Sequence, residues 1–234
     1  MVGVVAISFT VLPALLETTG PPAPLWLIGT VSTAQTGTYL GLAVWAGVRL
    51  SPRIGFGAPA FSAAAAGRRF GPSLRRQIAP GLVGGVIGGL LLQIAWLLEP
   101  AELSGAAGNT TVPPLVRILY GGITEEILTR WGLMTFLVWV LWVVVQRRQG
   151  RPGVGVVWAG IVLSAIPFGA GHLPLVASTV DGLTAGIVVW VVGANALFGL
   201  LAGFLYWRFG LESAVIAHSL AHIFDYLAGF AAPI

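Results

Sequence analysis

Three clusters of ionisable side chains interrupt otherwise apolar stretches: Glu125, Glu126 and Arg130; His172; and His218, His222 and Asp225. Charge inside an apolar span is costly and marks a candidate site. On a helix Glu126 and Arg130, four residues apart, share a face and can pair, whereas Glu125 is turned away by about 100°. Glu126 therefore has a cation built in and reads as structural. Glu125 must find a partner or a water on another element, which suits a general base. Bridging between helices is the plainer alternative for both acids. His172 ends the run Phe168-Gly169-Ala170-Gly171-His172, flanked by Pro167 and Pro174, where a helix loosens. An imidazole there can serve as ligand, base or donor, or simply as a helix cap. His218 and His222 share a face, with Asp225 three residues further on, placed to accept from a ring nitrogen of His222. Two histidines at this spacing also suit zinc, but Ser219 stands where a zincin helix carries glutamate.

The ordered trio resembles the CPBP family, which comprises CAAX prenyl endopeptidases of the Ras-converting type and bacteriocin-processing and immunity proteins. Glu125-Glu126-x-x-x-Arg130, Phe168-x-x-x-His172 and His218-x-x-x-His222 stand in the family's order, and the resemblance covers about 115–225. It implies a glutamate intramembrane protease without a metal cofactor. Glu125 and His172 would activate water, and His218 with His222 would form the oxyanion hole. Glu126, Arg130 and Phe168 would support them. At 222 the family usually carries Asn or Asp, so His222 is a departure. The implied partners are membrane lipid and a peptide or protein substrate, lipidated or not.

Two other functions stay open at this point. One is a zinc metalloprotease with His172, His218 and His222 as ligands and Glu125 as base, since three histidines suffice for catalytic zinc. The other is a non-catalytic immunity or scaffold protein. No Gly-x-Ser-x-Gly elbow and no cysteine offers a covalent nucleophile.

These groups need elements to position them, and composition says which. Of 234 residues 56% are hydrophobic and 9% charged, against roughly 25% charged in soluble domains. The expected fold is an all-α, multi-pass transmembrane bundle forming one membrane-embedded domain over 1–234, in a prokaryotic plasma membrane. Spans of about 20 apolar residues fall at roughly 2–16, 25–48, 80–98, 116–146, 153–172, 183–207 and 211–231. The first is read as a retained span, not a signal peptide. Gly81, Gly84, Gly85, Gly88 and Gly89 make a ridge for close helix packing. The segment 51–77 is either a short interfacial helix or a plain loop.

The twelve basic residues are all arginine. Ten of them lie at 49–76, 147–151 and 208, in alternate connections, while 17–24, 99–114 and 173–182 hold none. The positive-inside rule then puts the N-terminus in the cytoplasm and the C-terminus outside. By this orientation Glu125 and His172 lie towards the outer side. Arginines grouped at span ends mark topology and not a nucleic-acid surface, so no nucleic-acid partner is expected.

Overall fold

The computed structural model describes residues 1–17, 20–103 and 112–231. Helices account for the regular structure, and among the described residues there is no strand. In chain order they are α1 (2–17), α2 (Leu25–Ile54), α3 (Pro59–Ala65), α4 (Gly71–Leu97) and α5 (Pro114–Val144). Then follow α6 (Val154–Ala170), α7 (Leu173–Ala177), α8 (Ala185–Phe209) and α9 (Leu211–Ala231). Each of the expected spans thus has a long helix. By length and apolarity α4, α5, α6 running into α7, and α8 are sufficient to cross a membrane. The apolar part of α1, Val2–Ala14, is shorter. In α2 the N-terminal half carries Thr30, Ser32, Thr33, Gln35, Thr36 and Thr38, which lower its apolarity.

Local sequence sets several of these boundaries. Proline occupies the first turn of α3, α4, α5 and α7, where its missing N–H is no loss. Thr184 caps α8, its Oγ1 accepting from Ile187 N at 3.2 Å. Between α8 and α9 stands Gly210 at φ 117°, a conformation that side chains rarely adopt, so the chain reverses there without a loop.

The glycine ridge of α4 is buried against α9 as expected. A Cβ on Gly81, Gly85 or Gly89 would strike Ile216, Leu220 or Phe224. The opposite face of α4 exposes Leu82, Val83, Val86, Ile87 and Leu90, an apolar surface suited to lipid. α8 packs on α6, and α5 lies among α2, α6 and α9.

The arginine-bearing connections come together at one end. Segment 51–77 does contain a short helix, α3, and α9 holds it. Glu212 Oε1 accepts from Ala60 N at 2.6 Å and Phe61 N at 2.8 Å, while Leu211 N donates to Gly57 O at 3.0 Å. Ser213 is tied to buried Gln77 of α4 by bonds of 3.2 and 3.3 Å. Arg151 from the α5–α6 connection lies beside Gly55. The charge alternation seen along the sequence is therefore a real segregation in space.

Candidate active site

The three ionisable clusters meet towards the other end, where side chains of α5, α6 and α9 touch one another. Residues Arg117–Glu125 and Ile127–Met134 of α5 are π-helical. Thr124 and Thr135 each turn a hydroxyl onto the carbonyl five residues back, Leu119 O at 2.9 Å and Arg130 O at 3.1 Å. Such widened turns are frequent at functional sites. Here Glu125 ends the first widened stretch and Glu126 stands between the two.

Glu126 is fully buried and its partners are fixed. Its Oε1 accepts from His218 Nδ1 at 2.8 Å. Its Oε2 lies 3.3 Å from Arg130 Nε, an ion-pair separation too poorly aligned for a hydrogen bond. Arg130 also donates to Thr129 Oγ1 and, from Nη2, to Gly199 O at 3.3 Å. Its guanidinium sits 4.4 Å from the centroid of Phe168. The expected Glu126–Arg130 pair is present, and His218 joins it from α9.

Phe168 is the hub of the ring contacts. Its edge meets His172 at 5.2 Å and His218 at 5.9 Å between centroids. Phe198 of α8 covers His218 at 4.5 Å. His218 and His222 stack at 4.7 Å with their planes 23° apart. His172 donates from Nδ1 to Phe168 O at 2.9 Å, since a carbonyl can only accept. Its neutral form therefore presents Nε2 as a lone pair.

Glu125 is half-buried, and its carboxylate accepts no hydrogen bond from a described residue. Its surroundings include Tyr120 and Arg130, both within electrostatic reach. His222 likewise makes no hydrogen bond through its ring among the described residues. Its Nε2 occupies the space a side chain at Gly121 would need, and Ser219 fills that beside Gly122. Arg117, His172 and His218 lie within electrostatic reach of it.

Asp225 differs from expectation. It does not hold His222. Its Oδ2 takes Arg117 Nη1 at 2.9 Å, and its Oδ1 takes Trp96 Nε1 at 2.9 Å and Gln93 Nε2 at 3.4 Å. An arginine and two neutral donors outcompete an imidazole one turn away.

The zinc alternative can be tested on the donors. Among the described residues no three of His, Cys, Asp or Glu are grouped to hold a metal ion. The three histidines do not fit a zinc ligand set as arranged here.

Residues 107–224 match the family described as Type II CAAX prenyl endopeptidase Rce1-like. The chain belongs to this family. No curated protein and no solved structure gave a match. The Rce1-like match spans Glu125, Glu126, Arg130, Phe168, His172, His218 and His222 and ends one residue before Asp225. Intramembrane endopeptidase is the activity at family level, with a peptide or protein as substrate in a membrane setting.

The sequence reading overlooked Gly121 and Gly122, Phe198, and the Arg117, Gln93 and Trp96 partners of Asp225. A Gly-Gly step three residues before Glu125 was a visible signal of close approach. Arg117 was hidden because it stands inside a span and outside the connections that were counted.

Proposed function

We propose that this Rce1-like protein is a metal-independent glutamate endopeptidase cutting near the C-terminus of a membrane-associated, prenylated or unmodified peptide, in a prokaryotic plasma membrane. The observation that carries the reading is the division between the two acids. Glu126 is committed to Arg130 and His218, while Glu125, next to it, carries a half-buried carboxylate that accepts no hydrogen bond from a described residue.

In this mechanism Glu125 takes a proton from water, with His172 Nε2 accepting from the same water to orient it. The water oxygen attacks the scissile carbonyl carbon. Negative charge develops on the carbonyl oxygen, and His218 and His222 donate to it. Because Nδ1 of His218 is bonded to Glu126, His218 donates from Nε2 in its doubly protonated form. The C–N bond then breaks, and Glu125 returns its proton to the leaving amine. Glu126 and Arg130 keep His218 in place and touch no substrate.

Purified protein is incubated with a library of prenylated and unprenylated C-terminal peptides, with and without a strong chelator, and products are read by mass spectrometry. The reading expects cuts a few residues from the C-terminus, unchanged by chelation. Loss of all cutting on chelation, restored by zinc, would overturn the metal-independent mechanism. Intact peptides under every condition would overturn the hydrolase.

A further inference from the structure

Arg117 is the one arginine of the site end that is not sealed in the core. Arg130 is 2% exposed in its side chain and Arg117 29%. Two bonds aim the Arg117 guanidinium: Nη1 to Asp225 Oδ2 at 2.9 Å and Nε to Val112 O at 3.2 Å. Its Nη2 donates to no described residue. Asp225, meanwhile, shares its charge with Trp96 and Gln93 of α4. Three helices thus hold this fork in place, and the aspartate is not spent on the arginine alone.

The position follows from two helix spacings. Arg117 precedes Gly121 by four residues, and His222 Nε2 lies against Gly121. Asp225 follows His222 by three residues, about 4.5 Å along α9. Arg117 therefore stands about one turn beyond the residue that would hold the oxyanion. An extended peptide advances about 3.5 Å per residue, so a leaving segment of one to three residues reaches over about 3.5–10 Å. A guanidinium edge is shaped for a carboxylate.

We propose that Arg117, oriented by Asp225, binds the free C-terminal carboxylate of the substrate and so measures the cut from that end. This rests on the endopeptidase reading above. The alternative is an ion pair that only ties α5 to α9.

The test compares one peptide sequence as C-terminal acid and C-terminal amide, in detergent of neutral headgroup so that no anionic lipid competes. Wild-type kcat/KM is expected to favour the acid by about 10–100-fold, the range for a hydrogen bond to a charged group, through KM. Arg117→Gln is expected to bring the acid-to-amide ratio close to one. Binding of both fluorescent peptides to the Glu125→Gln protein gives the same comparison without chemistry. Equal treatment of acid and amide by wild type, in hydrolysis or in binding, overturns the proposal while any cutting leaves the endopeptidase standing. So does a preference that survives Arg117→Gln. An Arg117-dependent preference in binding without hydrolysis would uphold carboxylate recognition and overturn the endopeptidase.

Discussion

Glu126 and Arg130 were readable as a pair because four residues on one helix is a local relation, and the structure adds His218 across 92 residues of sequence. Removing either partner leaves a charge buried without compensation, at about 3–5 kcal/mol. Glu126→Ala and Arg130→Ala are therefore expected to melt well below wild type in detergent, with activity falling as a consequence. Variants that melt like wild type yet are inactive would make the pair catalytic. At position 222 the side chain's donor is what matters. His222→Asn is expected to keep substantial turnover, because an amide N–H can point at the same oxygen, whereas His222→Ala loses about 10²–10³-fold. Equal loss in both, with one zinc per wild-type chain, would restore the metal reading. Asp225 was misjudged because spacing on its own helix gives faces and not rivals. Its three donors come from α4 and α5, which no i, i+3 rule could reveal.

At the scale of the helix, small residues do two different jobs. Gly85 on α4 meets Leu220 of α9, and Gly121 on α5 meets the ring of His222. Adding a methyl group overpacks both contacts, typically at about 1–3 kcal/mol. Gly85→Ala is expected to lower thermal stability while turnover per folded molecule is retained. Gly121→Ala is expected to displace His222, cutting turnover more than stability. Measuring melting and turnover on both variants separates them, and equal loss of turnover per folded molecule would contradict the assignment. The α4 ridge was legible because five glycines at steps of three and four can only make one face. The π-helical winding of α5 was not. Its residues are ordinary helix formers, and the widened turns depend on how Thr124, Thr135 and the neighbouring helices meet its backbone.

The whole molecule is polarised. The end of α2, the α3–α4 connection, the start of α4, the α5–α6 connection and the α8–α9 junction gather ten of the twelve arginines at or near one end. His172, the start of α5 and Asp225 lie towards the other. Alternating arginine counts revealed this without any coordinates, since the charge bias acts on whole connections. The helix that closes over each site residue was beyond such counting. If the arginine end is cytoplasmic, a membrane-impermeant peptide is expected to be cut in vesicles that expose the opposite face and spared in inverted ones. The reverse pattern would place the site on the arginine side. The most direct measurement of the central claim is turnover of a cleaved peptide by Glu125→Gln beside wild type, with melting temperature recorded on both. An unpaired carboxylate acting as general base predicts a fall of about 10²–10⁴-fold in kcat with melting nearly unchanged. A variant that keeps more than about a tenth of wild-type turnover contradicts the assignment of Glu125 as the base.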